Sequence, residues 1–282
     1  MSHSEPAPEP APTVRQGDPA LPYRRRIHLL RLDATTVWGG LEDDFHHFEV
    51  TLTHDGEHVT EISMNALRWP WTTCPDAGAN LALLVGMALS DRCTAVAAVA
   101  DPHFQCTHQF DLAGLCVTHA ARGIEERTYD VELNIGHEVV RPRLWRDGEL
   151  LHEWTLAGPG MGRRLVDPPP FTDAPWKGGF IRWADQTLSP LEAEAAIVLR
   201  RACDIGMGRG MDLEAIDVAE ELAGIMSGVC YSMQPDLMPV AFRARGTIRD
   251  FGRHPDALLH DRPPSRGEGQ VGESRQPVDG IR

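Results

Sequence analysis

The stretch His47-Phe48-Glu49-Val50-Thr51-Leu52-Thr53-His54-Asp55-Gly56-Glu57-His58-Val59-Thr60-Glu61-Ile62-Ser63-Met64-Asn65-Ala66 decides the fold. Phe48, Val50 and Leu52 alternate with Glu49 and Thr51, the period of a half-buried strand. His54-Asp55-Gly56-Glu57 follows, and Asp-Gly between alternating runs marks a hairpin. Val59, Ile62, Met64 and Ala66 then line a return strand, so the sheet is antiparallel here. Upstream, Ile27–Leu32 reads as a first strand. Downstream, the pattern breaks at Arg68-Trp69-Pro70-Trp71-Thr72-Thr73-Cys74-Pro75. Asp76–Leu89 then reads as a helix with Leu81, Leu84, Val85 and Ala88 on one face, and Pro75 and Asp76 suit its first turn.

Further along, Leu112, Leu115, Cys116 and His119 share a helical face over Asp111–Arg122. Tyr129–Ile135, Val139–Trp145 and Leu150–Leu156 read as three strands, with Arg146-Asp147-Gly148-Glu149 as the turn between the last two. Gly158–Gly179 is rich in glycine and proline and reads as a long loop. Ser189-Pro190-Leu191-Glu192 is a capping box with proline at the first helical position, opening a helix through Ile205. Asp212 caps a second helix that ends near Gly228, giving a helical hairpin. Phe242–Ile248 reads as a final strand. With no βαβ alternation, the expected class is α+β: an antiparallel sheet with helices on one face plus a C-terminal helical hairpin. The expected organisation is a disordered tail over 1–22, a core domain over 23–157, a loop, helical hairpin and strand packed on it over 158–260, and a second disordered tail over 261–282.

The chain has 282 residues, with 27 Lys and Arg against 41 Asp and Glu, a formal charge of −14. That balance excludes nucleic acid and anionic membrane surfaces as partners, because both are gripped by cations. No apolar run spans a bilayer and no secretory leader is visible, so the expected compartment is the cytoplasm, with the six cysteines reduced.

Asp43-Asp44-Phe45-His46-His47 is the densest polar cluster. Two carboxylates and two imidazoles suit acid–base chemistry or a metal. On a strand, His46 and His47 face opposite sides, so one of them points into any given site. Cys74, before the Asp76 helix, has its thiolate favoured by the helix start and is a candidate nucleophile or ligand; Trp69 and Trp71 frame it as a wall for an organic substrate. Cys106-Thr107-His108 precedes the next helix, with Asp111 near its start. Asp44, His47, Cys74, His108 and Asp111 are therefore the catalytic candidates, and His46, His47, Cys74, Cys106 and His108 the metal candidates. Cys93, Cys116, Cys203 and Cys230 lack that setting and read as packing residues. Gly158–Gly162 and Gly206–Gly210 lack the strand-to-helix context of a phosphate loop.

The Asp43–Phe48 run, the Arg68–Pro75 block, Cys106-Thr107-His108 with Asp111-Leu112-Ala113, Gly228–Tyr231 and Gly246–Phe251 resemble the bacterial family known as domain of unknown function 2889, over about Arg26 to Leu259. That label implies no activity. The core order is also similar to iron–sulfur scaffolds of the NifU type. By position, that likeness implies ligands from the Asp44–His47 loop, Cys74 and Cys106, although the scaffolds carry cysteine in the first loop. The expected function is a cytosolic enzyme of small-molecule catabolism, lyase or hydrolase. Its expected substrate is organic, aromatic or polycyclic, held at a Cys/His/Asp site with zinc or iron as the candidate metal. The expected partners are that substrate and a second copy of the chain. The alternative is a metal or iron–sulfur cluster binding accessory protein.

Overall fold

The computed structural model of the chain describes residues 11, 13–136, 138–158 and 162–260. Seven strands form an antiparallel sheet: β1 Tyr23–Arg31, β2 Thr36–Asp43, β3 His47–His54, β4 Val59–Arg68, β5 Glu126–Leu133, β7 Arg143–Arg146 and β8 Glu149–Glu153, in the order β4-β3-β2-β1-β5-β7-β8. β6 Val139–Val140, β9 Thr155–Ala157 and β10 Arg164–Asp167 form a small second sheet. The helices are α1 Thr107–Arg122, α2 Phe180–Thr187, α3 Pro190–Gly206 and the single turn α4 Ala223–Met226. The fold is α+β. Among the described residues no helix is long and apolar enough to cross a membrane.

The expected hairpin is β3 and β4, with Val50 opposite Met64 and Leu52 opposite Ile62. Along β1, Tyr23, Arg25, Ile27 and Leu29 are buried on the helix-covered face. α1 lies on β2 and β3, and α3 on β1, β5 and β7. Burying their apolar sides against one sheet face makes one continuous core, with Leu112, Leu199 and Ala202 among its members. Glu194 of α3 ties α3 to α1 by accepting from Thr118 Oγ1 at 2.8 Å and Arg122 Nη1 at 2.7 Å, and to the sheet by accepting from Tyr129 Oη of β5.

Several elements differ from expectation. β2 is a full strand, hidden in the sequence by Gly39-Gly40. A Cβ on Gly39 would lie 2.7 Å from Cys116 Sγ, so the glycine is what lets α1 approach the sheet. Asp76–Leu89 is instead a 3-10 helix over Pro75–Leu84. α1 starts at Thr107, so His108 is inside its first turn and Cys106 is the capping residue. Pro142 splits the Val139–Trp145 strand between the two sheets, and Leu150–Leu156 divides likewise. A strand (β10) and a 3-10 turn over Phe171–Asp173 interrupt what read as a long loop. Asp212–Gly228 contains only short 3-10 turns and α4; the helical pair is formed by α2 and α3, joined across the Ser189–Glu192 capping box. Phe242–Ile248 makes isolated bridges, not a strand. Residues 13–22, expected as loose tail, are held: Val14 N donates to Ile248 O at 3.0 Å, and the Asp18 and Leu21 carbonyls accept from Arg209 Nε. The expected tail segments 1–10 and 261–282 lie outside the described residues.

Candidate functional site

The site grows from the turn between β2 and β3. Asp43 ends β2 on the same face as Leu41, opposite Arg25 of β1. Its Oδ1 accepts from the amides of Phe45 at 2.8 Å and His46 at 2.9 Å, the side-chain-to-backbone pattern that makes aspartate a turn former. His46 Nδ1 lies 3.0 Å from the same oxygen. Oδ2 accepts from Tyr23 Oη at 2.8 Å and from Arg25 Nε at 3.0 Å and Nη2 at 2.6 Å. Arg68 grips the turn through its carbonyls, donating to Asp43 O at 2.5 Å, Asp44 O at 2.9 Å and His46 O at 3.1 Å.

Burial works to raise the Asp43 carboxyl, but His46 and Arg25 outweigh it and hold the group well below the usual carboxylate range. An ionised Asp43 is an acceptor only, so His46 donates through Nδ1–H and its Nε2 keeps a free lone pair. The His46 ring stacks on that of His108, with centroids 3.7 Å apart and planes 25° from parallel. His108 Nε2 is buried and has no hydrogen-bond partner among the described residues. Burial lowers the His46 imidazole, against the pull of Asp43. Burial, His46 and Arg25 together hold His108 well below its ordinary value. Both rings are therefore neutral at pH 7.

Arg25 and His108 also line a cavity of about 80 Å³ walled by side chains such as Leu41, Val96 and Ile197, with Asp111 and Arg201 among its lining residues. Arg201 Nε is 2.8 Å from Asp111 Oδ2.

Asp43, His46 and His108 are the group of His, Cys, Asp and Glu among the described residues whose ligand-type atoms lie within 4.8 Å of one another. Their donor set fits zinc or iron poorly. Both Asp43 oxygens are occupied by donors, leaving two imidazole nitrogens where a four-coordinate site needs more.

The other expected site residues lie elsewhere. His47 is on the far side of the sheet, its Nδ1 3.3 Å from Glu42 Oε1, so the inward imidazole is His46. Asp44 is a buried lock: it pairs with Arg209 and accepts from Phe251 N at 3.2 Å. Asp111 is partnered by Arg201. Cys74 and Cys106 do come together, in one buried cluster with Phe48 and Trp71 and with Trp69 at its margin. Burial pushes the Cys74 thiol up to about 12 and the Cys106 thiol well above its ordinary value, which removes the thiolate expected at a helix start. Neither tryptophan forms a ring pair with His46 or His108 among the described contacts. Sequence reasoning missed Tyr23, Arg25 and Arg68. An arginine at an inward position of the β1 alternation is the signal that finds Arg25, since a buried guanidinium requires an acid opposite.

Neither a family model, nor a curated protein, nor a solved structure matches this chain.

Proposed function

We propose that the chain is a cytoplasmic enzyme of hydrolase or lyase type that acts on a small organic molecule by acid–base chemistry at Asp43, His46 and His108. The observation that carries this reading is the Asp43 Oδ1–His46 Nδ1 contact of 3.0 Å beside the unpartnered, stacked His108 Nε2. Asp43 orients the His46 ring and favours the imidazolium that forms when Nε2 takes a proton from water or from the substrate. His108, neutral and desolvated, supplies a second nitrogen for the departing or arriving proton. Arg25 keeps Asp43 ionised through the cycle and Tyr23 fixes its second oxygen. A cavity of about 80 Å³ has room for a few heavy atoms, so the part of the substrate beside His108 is small; a polycyclic body would have to sit outside it.

The test combines turnover with proton placement. Purified protein is assayed against short-chain esters, amides and hydroxy acids, alongside His46→Gln and His108→Gln. Turnover that disappears in both variants, with folding intact by circular dichroism, supports the reading. Nitrogen-15 spectra of labelled histidine report the tautomer directly. A His46 ring protonated on Nε2 at pH 7, or turnover untouched by His46→Gln, sinks it.

A further inference from the structure

Three of the six cysteines and four of the nine methionines meet in one small cluster beside the imidazole site. Cys74 precedes the 3-10 helix Pro75–Leu84, Cys106 caps α1, and Cys230 comes from the segment after α4. Met233 and Met238 are buried with them, and Met64 and Met226 pack at the margin. Cys74 Sγ is 3.5 Å from Ser232 Oγ, the one hydrogen-bond partner recorded for that sulfur among the described contacts. Thr73 Oγ1 donates to the same hydroxyl at 2.8 Å, and the cluster's other heteroatoms are its sulfurs, the Trp69 and Trp71 indoles and the Tyr231 hydroxyl.

Sulfur-rich packing alone is what an irregular region with few regular elements uses to fill gaps, because methionine is flexible. Two features exceed that need. The thiols come from three distant segments and share one cluster, where Cys74 and Cys230 both act on Cys106 and Cys230 acts on Cys74. The cluster also has a cation at its wall. Arg243 lies over Trp71 at 5.8 Å and favours a negative Cys74. Cys230, Met64, Met226 and Trp69 are half-buried and form the solvent-facing margin of the cluster.

Ligand chemistry selects the ion. Thiolate and thioether donors are soft and prefer Cu(I) among biological metals, whereas zinc wants four donors in a tetrahedron. The three cysteines do not form a group within 4.8 Å among the described residues, so a ready zinc site is absent there. Cu(I) is content with two or three soft ligands. We propose that this cluster is a Cu(I) site in which Cys74 and Cys106 become thiolate ligands, Cys230 receives the ion at the margin, and a methionine thioether completes the shell. Each thiol that binds releases its proton to solvent as the Cu–S bond forms. Copper arrives and stays as Cu(I), so no electron is exchanged. The site is independent of the acid–base reading above.

The full chain is titrated anaerobically with Cu(I) held by a chromophoric Cu(I) chelator. The expected result is one Cu(I) taken per chain, with about two protons released, an ultraviolet thiolate-to-copper band, and a sulfur-only shell by X-ray absorption. Cys74→Ser and Cys106→Ser lose the ion, while Cys116→Ser, buried in the other core, keeps it. Should a cysteine variant fail to fold by circular dichroism, Met233→Leu, which keeps shape, and the wild-type absorption spectrum decide. Copper left on the chelator, equal loss in Cys116→Ser, or nitrogen in the copper shell overturns the proposal.

Discussion

His46 and His108 stack face to face, 3.7 Å between ring centroids, one from a turn between strands and the other from the first turn of a helix. Two imidazolium ions cannot occupy that geometry in a buried site. A base that must be neutral therefore works only above its own pKa. Because burial lowers both rings, we expect the activity to be flat from pH 8 down through the ordinary histidine value and to fall only at more acidic pH. Rate profiles of kcat/KM across pH 4 to 8 check this. A profile falling at or above the ordinary value, near 6.5, contradicts it.

Stability carries its own acid limb. Burial lowers His119 and His152 from 6.5 to about 4. A base whose folded pKa is depressed binds more protons unfolded than folded, so its contribution is complete above about pH 6.5 and is lost as pH falls towards 4. The slope for each such imidazole is at most roughly 1.4 kcal/mol per pH unit. Urea unfolding at pH 7, 6, 5 and 4.5 should show stability falling through that window, with a shallower fall in His119→Asn.

Asp43 is the counter-charge of a buried arginine, and that makes it structural as well as functional. Asp43→Asn leaves Arg25 without an anion, which costs about 3–5 kcal/mol. His46→Gln, which keeps Arg25 paired, should cost about 1 kcal/mol. Denaturant midpoints with unchanged slopes measure the difference. Equal losses in the two variants contradict the assigned geometry.

Arg209 is buried between Asp44 and Asp250 and also donates to the Asp18 and Leu21 carbonyls. Arg209→Met removes the cation from two buried carboxylates, with an expected loss of about 3–5 kcal/mol. It should also free residues 13–22, seen as new protease cleavage before Tyr23. An uncleaved segment in that variant is the contrary result.

Close packing distinguishes two glycines. A Cβ on Gly114 would lie 2.3 Å from the carbonyl oxygen of Cys93, a backbone atom with little room to shift. A Cβ on Gly39 meets side chains of Cys116, Leu29 and Leu112 that can rotate. Overpacking costs typically about 1–3 kcal/mol, and Gly114→Ala should sit at or beyond the upper end while Gly39→Ala sits lower. Thermal midpoints of the two variants test the order.

Local chemistry determined much of this protein by itself. The alternation of Phe48, Val50 and Leu52, the Asp-Gly turn and the Ser189–Glu192 capping box are each closed by pairings inside one hairpin or one helical turn, so they were legible in the chain. The acidic and imidazole cluster ahead of β3 was legible as chemistry too. Which members matter was decided by tertiary structure. Asp43 and Asp44 are neighbours, yet one meets His46 and Arg25 while the other meets Arg209, because adjacent residues at a strand end point opposite ways. His46 rather than His47 turns inward for the same reason, through a register that only the pairing of β2 with β1 and β3 sets. β2 itself was hidden, because Gly39 serves the docking of α1 and Gly40 leaves room for the Trp38 ring, neither of them serving strand propensity. The meeting of His46 with His108, and of Cys74 with Cys106, depends on that docking: contacts between distant segments follow from how helices seat on a sheet, which no local pattern encodes.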